Sequence, residues 1–426
     1  MNAWLAVILI VLLALFGAPL FSIIATFALY GFSSSGTDAS AVIIELYRIA
    51  DSAALVAIPL FTFAGYMLAE SKSPQRLVAL ARALVGSFPG GISFVVLGVC
   101  AFFTAFTGAS GVTIVALGGI VLPMLVQQKY PERFSVGLVT ASGSIGLLFP
   151  PSLPIILYGL IASVSIDQLF VAGALPGLVL VGILTVYGIR VSYTAKVPRV
   201  PFVWSELWSA IRASAWELPL PVIIIGGIYG GAFTAIEAAA ITAFYVFIVE
   251  VFVYRDLHLT RDIPRVMRES MVLVGAILAI LGVALGLTNY LIDEEVPQHL
   301  FELVKDHIDS PITFLLILNG FLIIVGMMMD IFSAIIVVVP LILPIAREFG
   351  IDPVHLGIIF LTNLEIGYLT PPVGLNLFLA SLRFEKPVFE VVRSVVVFIA
   401  LELVALAVIT YVPDLSLWLV RALGTQ

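Results

Sequence analysis

The sequence predicts an all-α polytopic membrane protein. Of its 426 residues 61% are hydrophobic and 11% are charged, whereas ordinary soluble proteins have about 25% charged residues. No acidic or basic residue and no histidine occurs from 83 to 128 or from 134 to 166, which are runs of 46 and 33 residues. One crossing needs roughly 20 residues, so we expect roughly ten to twelve crossing or re-entering segments.

The apolar segments should be helices, because they lack the ten-residue alternation of an outer-membrane barrel. At the N-terminus, residues 1–21 have no basic region and no convincing cleavage site, so they are interpreted as a first span. In the middle of the chain, residues 201–221 predict a helix lying in the membrane interface. Its residues Trp204, Trp208, Ile211 and Ala215 share one face at helical spacing. A polar loop anchored by its tryptophans is the alternative.

Four residues of the first half recur in the second half at one offset. The pairs, each 221 positions apart, are Pro123 and Pro344, Gly146 and Gly367, Pro150 and Pro371, and Pro151 and Pro372. Double prolines are uncommon in apolar helices, so the chain is interpreted as an internal duplication. Paired halves with interrupted apolar segments are typical of secondary transporters.

The run from 134 to 166 is too long for one straight helix. It would extend about 50 Å, against a hydrocarbon core of about 30 Å. Gly143, Gly146, Pro150 and Pro151 predict a break between half-helices 134–145 and 152–163.

An unwound link leaves backbone carbonyls without partners. Together with the Ser142 and Ser144 hydroxyls, these oxygens suit a dehydrated sodium ion. A kink that only shapes helix packing is the alternative.

The second break is more polar than the first. It contains Asn363, Glu365, Gly367, Thr370, Pro371, Pro372 and Asn376. Glu365 is the only acidic or basic residue between His355 and Arg383. An intramembrane carboxylate indicates function, but Glu365 could instead meet a helix N-terminus or remain protonated.

A pair of helical hairpins is predicted upstream of the breaks. The first, 91–127, turns at residues 108–111, and the second, 312–346, turns at Asp330. Asp330 can bind an ion, cap the second arm, or do both.

Other isolated groups suggest structural roles. Thr234 and Glu237 have the spacing of a capping box, and Asp167 is expected to cap the next helix in the same way. Cys100 has no partner for a disulfide or zinc site. The histidines are in or beside polar connecting segments, at 258, 299, 307 and 355, which argues against an intramembrane enzyme.

Several motifs carry a family resemblance when taken in order. They are "FTGASGVTIVALGGIVLPML", "GSIGLLFPPSLPIILYG", "DQLFVAGALPGLVL", "GAFTAIEAAA", "GMMMDIFSAIIVVVPLILP" and "TPPVGLNLF". Together they resemble the large membrane subunit of a tripartite ATP-independent periplasmic (TRAP) transporter, the DctM type. The match covers nearly the whole chain and departs from the family mainly at Thr-Ala-Ile-Glu, 234–237.

The resemblance implies a sodium-driven (Na⁺) importer of small organic acids in the bacterial inner membrane. It implies inverted repeats with two re-entrant hairpins and two broken helices, and an elevator movement like that of the divalent anion/sodium symporters. The partners would be a small four-helix membrane subunit (Q-type) and a periplasmic substrate-binding protein (P-type). A stand-alone sodium- or proton-coupled anion symporter is the alternative, while a channel would need a polar pore-lining stripe that the sequence lacks.

The resemblance also assigns the sites. Sodium would bind at Gly108, Ser110, Gly111, Ser142, Ser144 and Gly146 in the first repeat, and at Asp330, Asn363, Gly367 and Thr370 in the second. The substrate would lie between the hairpin tips, near Ser110, Pro150, Pro151, Pro371, Pro372 and Asn376.

The resemblance also implies a division of the chain into five parts. They are scaffold helices at 1–90, first-repeat transport elements at 91–190, an interfacial helix with scaffold helices at 191–311, second-repeat transport elements at 312–385 with a broken helix at 354–382, and a C-terminal helix at 386–426. The substrate itself, the sodium stoichiometry and the oligomeric state are not encoded in these patterns.

Overall fold

A computed structural model describes residues 12, 17–35, 38, 40, 42–44, 47, 54–198, 201–305, 308 and 310–424. Within these ranges the regular structure is helical and includes no strand. Most of the proposed first span, residues 1–21, and His307 lie outside the described residues. The all-α fold class is therefore confirmed for the part of the chain that the structure describes.

Eighteen helices of at least nine residues occur in these ranges. In chain order they are α1 Leu20–Ser35, α2 Ala54–Glu70, α3 Ser73–Val85, α4 Gly91–Thr107, α5 Ser110–Gln127, α6 Glu132–Ile145, α7 Leu153–Ala162, α8 Ile166–Thr194, α9 Trp204–Ala213, α10 Ala235–Ile248, α11 Asp262–Asp293, α12 Val296–Lys305, α13 Pro311–Met328, α14 Ile331–Glu348, α15 Pro353–Gly367, α16 Leu375–Phe384, α17 Val388–Tyr411 and α18 Asp414–Ala422.

Many of these helices are long and apolar enough to cross a bilayer. Seven of the described helices meet that test, or eight spans if α6 and α7 count as one bent span. Five further apolar helices have 10–17 residues. The chain is therefore a polytopic membrane protein in which several apolar segments are shorter than a full crossing.

The helix boundaries repeat at the offset that the prolines indicated. Helix α14 starts and ends 221 residues after α5 (331 − 110 and 348 − 127), and α15 starts 221 residues after α6 (353 − 132). Both Pro150–Pro151 and Pro371–Pro372 peptide bonds are cis. The two halves thus share element order and break position, as expected for a duplicated unit.

The predicted hairpins and breaks are present, with small shifts in their boundaries. The first hairpin is α4–α5, and the second, α13–α14, covers 311–348 rather than 312–346. The first break includes a 3₁₀ turn, Gly146–Leu148, and bends the chain by 42° between α6 and α7. The second break separates α15 from α16. Buried apolar side chains from both halves form one continuous core around these elements.

The segment after residue 200 forms a helix, so the polar-loop alternative is wrong. Leu207 and Ala210 of α9 are buried and pack with Leu80 of α3, whereas Trp204 and Trp208 are exposed. The face that contacts the protein is therefore not the face that carries the tryptophans. Helix α9 ends at Ala213, before the fourth residue of the predicted stripe.

An ion-pair cluster joins α3 to the region around α10. Arg76 contacts Glu217 through Nε, Asp256 through Nη1 at 2.5 Å and Glu250 through Nη2 at 3.2 Å. Its guanidinium carbon lies 3.8 Å from the centroid of the Tyr254 ring. The Glu217 and Glu250 side chains are fully buried, so their charges depend on Arg76 for compensation.

Candidate transport site

The two hairpin tips meet at one cavity of about 340 Å³. The first tip contributes residues 108–112 and the second contributes residues 330–332. The opposite wall comes from Tyr66 of α2 and from α11, between Leu273 and Ile280. Pockets of roughly 300–1,000 Å³ are typical of small-molecule sites, so the cavity has the size of a metabolite site.

The first tip leaves a helix N-terminus uncapped. Gly108 ends α4 with φ 64°, a left-handed conformation that glycine adopts without strain. Ala109 is extended, and no side chain caps the start of α5 at Ser110. The first amide N–H groups of a helix have no intrahelical acceptor, so they form a place where an anion can bind.

At the second tip, the carboxylate of Asp330 caps the start of α14. Asp330 Oδ1 accepts hydrogen bonds from Phe332 N and Ser333 N, both at 3.0 Å, and Oδ2 accepts one from Ser333 Oγ. The capping interpretation of Asp330 is therefore confirmed. Asp330 also lines the cavity, where it is the one charged side chain among the described lining residues.

Tyr368 is a site residue that the sequence analysis missed. Its hydroxyl oxygen accepts a hydrogen bond from Ile331 N at 2.6 Å, and the ring lines the cavity beside the second tip. The residue directly follows Gly367 at the second break. A tyrosine next to the glycine of the break, whose hydroxyl needs a hydrogen-bond partner when it is buried, was the signal that could have identified it.

The first break contacts the first hairpin. Thr104 Oγ1 hydrogen-bonds with the Gly143 carbonyl oxygen at 2.8 Å and with Thr113 Oγ1 at 2.7 Å. The Ser142 and Ser144 hydroxyls donate to carbonyls of their own helix. Their lone pairs remain available as acceptors. Thr104 was not among the predicted residues, although it makes the contact between hairpin and link.

Gly146 and Gly367 pack in matching positions. A side-chain carbon on Gly146 would meet Ala101, Thr104 and Ala105, and one on Gly367 would meet Gly326 and Met327. In both halves the first arm of the hairpin, which is α4 or α13, thus packs directly against the backbone at the helix break. Such an approach requires glycine.

The second break contains an unpaired acceptor. Asn363 Nδ2 donates to Asn319 Oδ1 and to the Ile359 carbonyl oxygen, each at 2.8 Å. Asn363 Oδ1 is buried and has no hydrogen-bond partner among the described residues. Thr370 donates to the Ile366 carbonyl oxygen at 2.8 Å. Buried polar atoms are normally satisfied, so Asn363 Oδ1 is a candidate ligand for a cation.

One hydrogen bond joins the two repeats at the site. Ser110 Oγ donates to Asn376 Oδ1 at 2.7 Å, which ties the first tip to α16 beyond the second break. Asn376 Nδ2 is buried and unpaired among the described residues. Alignment of the two halves at the 221-residue offset could not predict this contact, because Ser110 and Asn376 do not occupy equivalent positions in the repeats.

The four break prolines lie outside the cavity between the tips. Pro151 is buried and Pro150 is half-buried, whereas Pro371 and Pro372 are exposed. Their position at the breaks is as expected, and the substrate contact proposed for them stays a prediction.

The isolated carboxylates Glu237 and Asp167 both lie in the first turn of a helix. Glu237 and Thr234 form the predicted capping box: Thr234 N donates to Glu237 Oε2 at 2.8 Å, and Glu237 N donates to Thr234 Oγ1 at 3.3 Å. The prediction for Asp167 is wrong. Ser165 has the non-helical backbone conformation of an N-cap and caps α8 by accepting from Gln168 N at 3.4 Å, whereas Asp167 lies in the first turn.

Comparison with known proteins identifies the chain's relatives. Residues 5–415 match the family described as tripartite ATP-independent periplasmic transporter, DctM component. The chain is 39% identical to the C4-dicarboxylate TRAP transporter large permease protein DctM of Pseudomonas aeruginosa over 382 residues, 89% of each chain. It is 35% identical to the protein of the same description from Rhodobacter capsulatus over 440 residues, covering 100% of both.

A solved structure shares the fold. The crystal structure of the Alcanivorax borkumensis YdaH transporter, described as having an unusual topology, superposes with a TM-score of 0.61. The superposition covers 89% of this chain and 88% of that one at 14% identity. The curated relatives are permease subunits rather than enzymes. This chain therefore belongs to the DctM family of TRAP transporter large permease components.

Proposed function

We propose that the chain is the large permease of a sodium-coupled importer of small organic acids in a bacterial inner membrane. It would work with a Q-type small membrane subunit and a P-type periplasmic binding protein, as in the tripartite family. C4-dicarboxylates are the first substrates to test, since two relatives are described as their transporters. The observation that carries the proposal is the cavity between the two tips.

The two tips present opposite electrostatic environments to that cavity. The uncapped start of α5 supplies amide donors and the positive end of a helix dipole. Asp330 faces it with a negative charge, and none of the described lining residues is cationic. A bound organic anion would repel Asp330 unless a cation lay between them. Sodium at the second tip supplies that positive charge.

The residues present fit sodium, which prefers hard oxygen ligands. In the second repeat, Asn363 Oδ1 is a buried acceptor without a donor among the residues that the structure describes, and its orientation is fixed by the hydrogen bond from Asn363 Nδ2 to Asn319. Asp330, Gly367 and Thr370 would complete that site. In the first repeat the ligands would come from residues 108–111 together with Ser142, Ser144 and Gly146.

An elevator movement is the second part of the proposal. Helix α2 packs against both α10 and α11, and α2 and α11 supply one wall of the cavity, while the tips supply the other. Sliding of the hairpins and broken helices against α2 and α11 would therefore expose the cavity. No charged side chain of α2 or α11 lines the described part of that wall, so the sliding surface is largely apolar.

Reconstitution tests the coupling directly. We expect uptake of a radiolabelled C4-dicarboxylate into proteoliposomes to require the Q-type and P-type partners and an inward sodium gradient. Uptake that is unchanged when potassium replaces sodium would overturn the coupling. Sodium-dependent uptake without the binding protein would favour the stand-alone symporter instead.

Asn363→Ala is expected to weaken sodium binding in addition to the stability lost with the hydrogen bonds to Asn319 and Ile359. Loss of one buried oxygen ligand should cost about 1–3 kcal/mol, so the half-saturating sodium concentration should rise about fivefold to 150-fold. Uptake measured across a sodium series checks this result. Thr362→Val is the matched control, because the Thr362 hydroxyl bonds only its own helix at the Ile358 carbonyl. Equal sodium curves for both variants would remove Asn363 from the site.

Ser110→Ala is expected to impair substrate binding through the first tip. The change removes the hydrogen bond to Asn376, worth about 0.5–1.5 kcal/mol, so KM for uptake should rise several-fold with little effect on protein yield. Ser394→Ala is the control, since that hydroxyl bonds only the Glu390 carbonyl oxygen of its own helix. An unchanged KM would mean that the Ser110–Asn376 contact does not shape the site.

A further inference from the structure

A row of buried polar side chains leads away from the second break. Its members, in order, are Asn363 of α15, Asn319 of α13, Thr410 of α17, His355 of α15 and Ser416 of α18, and none is more than 7% exposed. Asn363 Nδ2 lies 2.8 Å from Asn319 Oδ1, and Asn319 Nδ2 lies 3.1 Å from Thr410 Oγ1. The two ring nitrogens of His355 each lie 3.2 Å from an oxygen, one of Thr410 and one of Ser416. The row therefore joins the candidate sodium ligand Asn363 to three neighbouring helices.

A backbone carbonyl decides which way the amides of the row are turned. A carbonyl oxygen only accepts hydrogen bonds, so the Asn363 atom that lies 2.8 Å from the Ile359 carbonyl oxygen is the donor Nδ2. The Asn319 atom facing that donor must be Oδ1, which leaves Asn319 Nδ2 to donate to Thr410 Oγ1. Asn363 Oδ1 is then left outside the row, without a partner among the described residues. Glu365 of α15 is also buried but forms none of these hydrogen bonds.

Thr410 is held in place from its other side. It lies one residue before the end of α17, where carbonyl oxygens lack donors from their own helix. The Thr410 carbonyl oxygen accepts from His355 Nε2, and in the neutral ring His355 Nδ1 then accepts from Ser416 Oγ. Helices α15 and α18 thus fix the residue whose hydroxyl receives the Asn319 amide.

The Thr410 hydroxyl favours one of the two orientations of the Asn319 amide. If the amide were turned by half a rotation, Asn319 Nδ2 would face Asn363 Nδ2, and two donors would oppose each other. Without the hydroxyl, Asn319 Nδ2 would be a buried donor that lacks an acceptor in the observed orientation, which is costly. The Asn319 amide would then lose the contact that holds it, and the Asn363 amide would lose its fixed neighbour.

We propose that Asn319 and Thr410 are positioning residues of the second sodium site, which hold the Asn363 amide so that Oδ1 is free to bind the ion. This inference rests on the proposed function, because it takes Asn363 to be a sodium ligand. The positions 221 residues before Asn319 and Thr410 are Gly98 and Ile189 (319 − 221 and 410 − 221), whose side chains form no hydrogen bonds. The positioning therefore acts on the second site only.

A sodium titration of the full-length protein in detergent tests the positioning without transport. Sodium that binds the folded protein raises the midpoint of thermal unfolding, and potassium keeps the ionic strength constant. Thr410→Val keeps the shape of the side chain and the carbonyl that His355 uses but removes the hydroxyl. The half-saturating sodium concentration of the midpoint shift should therefore rise about two- to tenfold.

Three further variants accompany Thr410→Val. Thr410→Ser retains the hydroxyl and should restore the wild-type sodium response. Asn319→Leu should weaken the response at least as much as Thr410→Val, since leucine has a similar size and no polar group. Thr362→Val should leave the response unchanged, because that hydroxyl bonds only the Ile358 carbonyl oxygen of its own helix.

A double variant separates positioning from a general loss of packing. Asn363→Ala has already lost the ligand, so Thr410→Val added to it should cause no further rise in the half-saturating sodium concentration. A merely structural role of Thr410 would predict a further rise, because the effects of independent changes add.

The possible failures are distinguishable. If the wild-type midpoint does not respond to sodium, the sodium coupling of the proposed function is wrong, and the positioning role is overturned with it. If the wild type responds but Thr410→Val and Asn319→Leu respond equally, only the positioning role is wrong. A rise that Thr410→Ser does not reverse, or that adds to the effect of Asn363→Ala, also overturns it. Should Thr410→Val not fold, Asn319→Leu and its combination with Asn363→Ala decide in the same way.

Discussion

Gly367→Ala is expected to reduce uptake to background, because it forces apart two backbones that touch at the second break. A side-chain carbon at Gly367 would lie 2.6 Å from Gly326 Cα and 2.8 Å from Met327 N, where backbone cannot move aside as a flexible side chain can. Overpacking of this kind costs about 1–3 kcal/mol or more. The strain falls where Asp330, Asn363 and Tyr368 must keep their arrangement. Uptake in proteoliposomes, normalised to inserted protein, measures the loss.

A graded series of glycines controls this experiment. Gly326→Ala should have an intermediate effect, since its added carbon would lie 3.0 Å from Leu364 Cα and 3.2 Å from Gly367 Cα. Gly320→Ala, on the same helix, should be neutral, because nothing lies within 4 Å of the added carbon. Equal activity of Gly367→Ala and Gly320→Ala would show that the close approach at the break is not needed for transport.

Arg76→Ala is expected to be the most destabilising single change outside the transport site. The side chain is 13% exposed and compensates the buried carboxylates of Glu217 and Glu250, together with Asp256. Burial lowers the pKa of Arg76, but the hydrogen bonds to Asp256 and Glu217 raise it more, so the guanidinium stays charged at any accessible pH. Removing one partner of a buried ion pair costs about 3–5 kcal/mol. The apparent midpoint of thermal unfolding in detergent should therefore fall markedly.

Arg82→Ala tests whether the effect belongs to the cluster rather than to any arginine of α3. Arg82 lies on the same helix and lines the groove beneath α9, so its loss should change the midpoint little. Arg76→Lys should remain well below the wild type, since an ammonium group cannot reach three carboxylates with the planar fork of a guanidinium. A wild-type midpoint for Arg76→Ala would contradict the compensating role.

The breaks and the duplication were predictable because their causes are local. Proline removes an amide donor wherever it occurs, and glycine weakens a helix without reference to the rest of the chain. The prolines at 150 and 371 therefore located both links, and the 221-residue offset matched the boundaries of α5 and α14. The capping box at Glu237 is local in the same sense, since both partners lie within one helical turn.

Asp167 shows the limit of local reasoning. Both Ser165 and Asp167 are acceptable caps by residue type, and the backbone conformation of Ser165 decided between them. A pattern can mark where a helix begins, but the identity of the capping residue depends on how the preceding turn is folded.

The sequence by itself determined that the chain is a duplicated helical membrane protein with paired hairpins and breaks, because hydropathy, proline and glycine act over short distances. Only the tertiary structure decided which side chains meet. Ser110 and Asn376 are 266 residues apart, and Arg76 contacts acidic residues from three later segments. Such partners are set by how the two repeats pack against each other, and no periodicity within either repeat records that packing.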